Sequence, residues 1–354
     1  MSPSAPRNNF DLIRLFAATQ VMVWHGIRYF ELHPVLPTGT KQLLSFFPGV
    51  PIFFFISGFL ISASFQRSPS LGHYALNRAL RIFPALWVCF FVSITAVTLS
   101  GYFNTVSVGL TDALLFAGGQ LSFVQFHHPD FMRGYGTGVL NGSLWTIPIE
   151  LQFYLLMPAL GALILFRRRV YLGLLAGALT LNVVHAHYLT PVHSDALPVK
   201  LLDVSFLPWI AMFMLGHLAA RYWDRLRRWF EGRFAWWLGA YLILIAGAFW
   251  VQRTTGFHIT ANRMLVFLVL FGLVLAAAHT RKSCSNRWLG STDISYGIYI
   301  FHMPVYNFWL YLDLQKTPLT LGLCMAVTIA LAFLSWKLVE RPALRLKRST
   351  LFAR

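Results

Sequence analysis

Long apolar stretches, divided by short polar segments, recur along the whole chain. Ten of them stand out, at 10–30, 47–66, 80–101, 143–166, 170–188, 203–222, 235–252, 262–279, 294–312 and 319–338. Each is near the ~20 residues that a helix needs to cross a hydrocarbon core. A membrane β-barrel would show short alternating segments instead. The expected fold is therefore all-α: a polytopic membrane helical bundle of about ten transmembrane helices, expected as a single integral-membrane domain over 1–354. An apolar piece near 110–117, inside the 102–142 loop, is too short to cross. The first stretch is interrupted by Arg14 and lacks a small-residue cleavage site after it, so it reads as a retained span.

Composition sharpens this picture. The chain is 57% hydrophobic and 12% charged, where a soluble domain carries about 25% charged residues. The formal charge of +17 raises the question of a nucleic-acid partner. The basic residues lie in short loops between apolar stretches, so no nucleic acid is expected and the lipid bilayer is the expected environment. With ten crossings, 22 of the 29 Lys and Arg fall on the side of the termini. That asymmetry places both termini in the cytoplasm. The three cysteines, Cys89, Cys284 and Cys324, show no disulfide or zinc spacing.

Against this apolar background the ionisable residues are conspicuous. Arg14 and His25 are eleven apart in FDLIRLFAATQVMVWH. At about 100° per residue that is roughly three turns plus 20°, so they share one helix face, about 16 Å apart along the axis. Counting from the ends of the spans puts His25 in the outer half, Glu150 at a similar depth and His302 near the middle. Ionisable groups inside a membrane need partners and usually mark function. A His25–Glu150 pair is the simplest expectation, with His25 as general base and Glu150 orienting it. Arg78 and Arg81, at i,i+3 in NRALRIFPALW, share a helix face and suit phosphate recognition at the cytoplasmic mouth. The alternatives are ordinary ones: a protonated packing role for Glu150, a packing role for His302, and positive-inside anchors for the arginines. Ser57 and Gly58 in GVPIFFFISGFLIS permit close helix approach. Histidines in HAHYLTPVHSD allow zinc spacing only loosely, and no metal is expected.

Taken in order, these blocks resemble the membrane acyltransferase family 3, bacterial multispan enzymes that O-acylate sugars and related hydroxyls. The arginine–ten residues–histidine pattern, GVPIFFFISGFLIS, NRALRIFPALW, SLWTIPIELQFYLLMP, ISYGIYIFHMP and SWKLVERP each match a family block. Pro148, two residues before Glu150, departs from the pattern and is expected to kink its span. Some relatives continue into a hydrolase-like second domain; this sequence ends at Arg354 and is expected to resemble members that work as one membrane domain. The resemblance implies a cytoplasmic acyl-CoA donor, acetyl-CoA by default, and a glycan or glycolipid acceptor. It implies an O-acyltransferase of the bacterial inner membrane. His25 and Glu150 are then the catalytic pair, Arg14, Arg78 and Arg81 bind CoA, and Ser57, Trp145, Tyr154 and His302 face the acceptor. A proton-coupled transporter is the rival reading, although no internal repeat is visible. A receptor or scaffold would have no use for Arg14 and His25 in line.

Overall fold

The computed structural model describes residues 8–37, 39–189, 196–255, 264–281, 284–290 and 292–346. The main helices are α1 (Phe10–Tyr29), α2 (Gly49–Arg67), α3 (Leu71–Leu99), α4 (Leu110–Leu121), α5 (Thr146–Phe166), α6 (Arg168–Val184), α7 (Ile210–Arg221), α8 (Trp223–Phe230), α9 (Phe234–Thr255), α10 (Met264–His279), α11 (Ser295–Tyr311) and α12 (Pro318–Ser335). Among the described residues there is no strand. Each of the ten apolar stretches carries one of these helices, and among the described residues five segments are long and apolar enough to cross a membrane: Leu43–Arg67, Leu71–Leu99, Thr146–Phe166, Phe234–Val251 and Pro318–Arg345. Helix α1 is 20 residues long but carries Asp11, Arg14, Gln20, His25 and Arg28, which lower its apolar character.

Two boundaries differ from the hydropathy reading. Helix α3 starts at Leu71, nine residues before the apolar stretch, because the Ser70 hydroxyl caps it by accepting from the His73 N–H at 3.1 Å. Arg78 and Arg81 therefore lie two to three turns inside a helix. Helix α5 starts at Thr146, so Pro148 sits in its first turn, where an N–H has no helical partner anyway and its absence removes no helical hydrogen bond. The proline inside that helix is Pro158. Glu150 is then only four residues into α5, about 6 Å along the axis.

The chain divides into two compact units. The first comprises residues up to Gln20, Thr38–Gln66 and Leu155–Asp293. Its α2 and α7 cross backbone to backbone: a Cβ on Gly58 would stand 2.0 Å from the Phe213 carbonyl oxygen, and one on Gly216 would stand 2.0 Å from that of Phe55. Phe55 stacks on Phe271 at 4.3 Å. Asn9 ties the start of α1 to the end of α10. Its backbone N–H and its side-chain amide donate to the carbonyls of Ala278 and Thr280, both at 2.8 Å, and its Oδ1 accepts from the Ser285 N–H at 3.0 Å. Gln20 closes the unit's share of α1, accepting from the Gly49 N–H at 2.9 Å.

The second unit comprises Val21–Pro37, Arg67–Tyr154 and Ile294–Arg354. Helices α11 and α12 approach closely at Gly297, where a Cβ would meet Ala332 at 2.8 Å. The loop before α5 is strapped to α11. Asn307, fully buried, accepts from the Thr137 N–H and hydroxyl at 3.0 and 2.9 Å and donates to the carbonyls of Val139 and Leu140 at 2.8 and 3.1 Å. Gly136 makes this approach possible: its φ is +54° and a Cβ there would lie 2.8 Å from the Asn307 backbone.

Candidate active site

The site is built on α11, whose sequence ISYGIYIFHMP places His302 two residues before Pro304. Proline has no N–H, so the carbonyl one turn back, that of Ile300, loses its helical donor. Asn141 supplies one, with Nδ2 at 2.8 Å, and the Cys89 thiol adds another at 3.2 Å. Asn141 Oδ1 accepts from the Ser143 hydroxyl at 2.7 Å, so every element of this buried knot is paired. The same proline logic acts at Pro158 in α5. It frees the Tyr154 carbonyl, which accepts from the Tyr74 hydroxyl at 3.2 Å.

His302 is fully buried and His25 half-buried. Their rings meet: His25 Nδ1 lies 2.9 Å from His302 Nε2, with centroids 5.1 Å apart. The other nitrogen of His302, Nδ1, donates to the Ile298 carbonyl at 3.1 Å. Tyr306, one turn on, donates its hydroxyl to the Met22 carbonyl at 3.1 Å and packs against Phe30 at 5.5 Å. These contacts hold the C-terminal half of α1 against α11 and fix the His25 ring. The ring of Tyr299 lies 6.1 Å from that of His302, and its hydroxyl shares a hydrogen bond of 2.9 Å with Thr146. The first turn of α5 is thereby held one helical turn from His302.

Glu150 is one turn further along α5. Its Oε1 accepts from the Tyr154 hydroxyl at 2.5 Å, and the Arg78 guanidinium lies over the Tyr154 ring at 5.7 Å. The bonded partner of His25 is thus His302, and Glu150 bonds Tyr154. Arg81 Nη1 stands 3.7 Å from Glu340 Oε2 and its guanidinium lies over Tyr296 at 6.0 Å. Glu340 is 2% exposed and lies on the π-helical turn Trp336–Glu340 that follows α12. Trp145 is half-buried just ahead of α5 and Tyr154 is buried.

Arg14 and Ser57 belong to the first unit. Arg14 Nη1 makes a 2.7 Å ion pair with Asp293 Oδ2, and Ser57 is half-buried on α2 beside the tight crossing at Gly58. His185, the first histidine of HAHYLTPVHSD, pairs with Asp203 at 2.6 Å. His193 and Asp195 lie outside the described residues. Among the described residues no cluster of His, Cys, Asp and Glu is suited to a metal ion.

Sequence reasoning passed over Asn141, Asn307, Asp293 and Glu340. The two acids had a usable signal. With only 12 Asp and Glu in the chain, a carboxylate beside an apolar stretch is a candidate partner for an arginine. The two asparagines carried none, because their roles depend on which carbonyl a proline elsewhere has left open.

A helical membrane protein with a polar, histidine-bearing centre is the class that this geometry defines. The family is set by sequence: residues 7–337 match the model of the family described as an acyltransferase domain, and the chain belongs to that family. The chain is 37% identical to Nodulation protein 10 of Rhizobium leguminosarum bv. viciae, over 98% of this chain and 95% of that one. It is 27% identical to the O-acetyl transferase of Shigella phage Sf6, over 94% and 95%. It is also 24% identical to the peptidoglycan O-acetyltransferase OatA of Listeria monocytogenes, over 84% of this chain and 51% of that one. No solved structure matches. The protein is an acyltransferase with several apolar helices fit to cross a membrane.

Proposed function

We propose that this acyltransferase moves an acetyl group from acetyl-CoA, or another acyl from its CoA ester, to a hydroxyl of a cell-envelope or exported glycan or glycolipid. Two relatives are named for O-acetylation of peptidoglycan, an envelope polymer, which supports an envelope glycan as the acceptor class, lipopolysaccharide among them. The chain acts as one domain of ten membrane crossings in a bacterial inner membrane, both termini cytoplasmic. The donor then arrives from the cytoplasm and the acceptor from the outer side.

The observation that carries this reading is the His25 ring, half-buried on a membrane helix and held by a bond to its Nδ1 alone. That leaves Nε2 as the atom that takes the acceptor's hydroxyl proton. The hydroxyl oxygen attacks the thioester carbonyl carbon, the C–S bond breaks, and the CoA thiolate leaves with the proton that His25 Nε2 gives back. Glu150 supports His25 electrostatically through the Tyr154 and Arg78 group rather than by a direct bond. Arg14, Arg78 and Arg81 bind the CoA phosphates. Each guanidinium has five N–H donors, so a carboxylate on one edge leaves others for phosphate. Ser57, Trp145 and Tyr154 line the acceptor's path, while His302, fully buried, stands behind His25 and touches it rather than the acceptor.

The test is acyl transfer in vesicles holding purified protein, with acetyl-CoA on the cytoplasmic face and an acceptor glycan on the other. His25→Ala is expected to abolish transfer while inserting normally, and Glu150→Gln to reduce it strongly. Transfer at the wild-type rate by inserted His25→Ala would sink the proposal.

A further inference from the structure

We propose that His302 is a positioning residue that sets the tautomer of His25, so that the proton-accepting nitrogen is Nε2. This rests on the reading of His25 as the base. The argument is one of donors and acceptors. A carbonyl oxygen only accepts, so the 3.1 Å contact of His302 Nδ1 with the Ile298 carbonyl places a hydrogen on that nitrogen. A neutral imidazole carries one N–H, so His302 Nε2 presents a lone pair. His25 Nδ1, 2.9 Å away, must then be the N–H. The lone pair of neutral His25 is left on Nε2, which no partner among the described residues reaches.

The relay is therefore ordered from the Ile298 carbonyl outward: carbonyl, His302, His25, substrate. The same bond serves both protonation states. When His25 takes the hydroxyl proton on Nε2, its Nδ1–H still donates to His302, and no tautomer change interrupts the transfer. A carboxylate in place of His302 would orient His25 equally well, but it would add a buried charge within the bilayer, which is costly. A neutral imidazole orients without that cost. His302 can do this because it is itself immobile: it is fully buried, and its helix is pinned on both sides by Asn141 at Ile300 and by Asn307.

Two variants separate this role from simple packing. In His302→Gln the amide NH2 can donate to the Ile298 carbonyl, which turns its oxygen toward His25 and keeps the acceptor. In His302→Leu the volume is largely kept and the acceptor is lost. His302→Leu is expected to lower turnover roughly 10²-fold, within the range that a positioned base contributes. The KM for acetyl-CoA should stay within about 2-fold, and His302→Gln should recover about 10-fold or more of the loss.

The direct readout is 15N NMR of ring-labelled histidine in lipid vesicles, with His25→Gln used to assign the His25 signals. The wild type and His302→Gln should show His25 protonated at Nδ1 and bare at Nε2; His302→Leu should shift it toward the opposite tautomer. Wild-type His25 carrying its hydrogen on Nε2 would overturn the proposal, as would an unchanged tautomer in His302→Leu. If His302→Leu does not fold, the wild-type spectrum alone decides. Failure of the base reading looks different: active His25→Ala together with a Nδ1-protonated His25 spectrum.

Discussion

Asn141 donates its side-chain amide to the carbonyl of Ile300 at 2.8 Å, taking the place of the backbone N–H that Pro304 cannot supply. A loop residue thus repairs a helix that its own proline has opened. The repair lies two residues from His302, so the loop's position and the ring's position are one structural fact.

Asn141→Leu should destabilise the protein by about 1–3 kcal/mol, the usual cost of stranding buried polar groups. Both the Ile300 carbonyl and the Ser143 hydroxyl lose a partner, while the Cys89 thiol contact of 3.2 Å remains. Thermal melts in detergent, compared with Cys89→Ala, read the difference. A melt at the wild-type temperature would show that the loop is not holding α11.

Gly58→Ala should be far more damaging than Ser57→Ala. A Cβ at 58 would sit 2.0 Å from a backbone oxygen, so α2 and α7 must separate and the packing of both is lost. We expect almost no folded Gly58→Ala protein in membranes. Ser57→Ala should be recovered in wild-type amounts, which leaves its acetyl-transfer rate as a clean test of an acceptor-binding role.

Arg78 and Arg81 should behave differently despite sharing a helix face. Arg81 stands 3.7 Å from a carboxylate that is 2% exposed. Removing one partner of a buried pair costs about 3–5 kcal/mol. Arg81→Ala should therefore lose folded protein, with Arg81→Met combined with Glu340→Leu restoring it. Arg78→Ala should fold and raise the KM for acetyl-CoA. Equal folded yields and equal KM changes would show that Arg81 is a donor-binding residue before it is a structural one.

Acid should weaken the loop between α4 and α5 through His128. Burial lowers the pKa of this imidazole from 6.5 to about 4, with the charges of Arg133 and His127 adding to the effect. A histidine with a depressed folded pKa stabilises fully above its unfolded value, and the contribution is lost as pH falls from about 6.5 through 4. Melting temperature measured across that window should fall less steeply for His128→Leu than for the wild type. Identical slopes would mean that the loop opens before His128 is protonated.

Much of the candidate site was legible in the sequence because charged and polar residues are rare in this chain. Arg14, His25, Arg78, Arg81, Glu150 and His302 stand out from apolar surroundings by composition alone, and helical periodicity says which of them share a face. Helix positions followed for the same reason, since an apolar stretch of ~20 residues has few other fates in a bilayer. Depth counting, by contrast, is one-dimensional. It put His25 and Glu150 at similar heights and so paired them, but height says nothing about azimuth.

The sequence by itself determined an all-helical protein with an apolar character suited to a bilayer, the family, and which side chains are chemically available. The tertiary structure decided their partners: His302 for His25, Tyr154 for Glu150, Asp293 for Arg14 and Glu340 for Arg81. The physical reason is that hydropathy and periodicity are properties of one helix, whereas a hydrogen bond depends on the distance and angle between two. Those are set by side-chain packing between helices, by the carbonyls that Pro304 and Pro158 leave open, and by the small residues that let backbones meet.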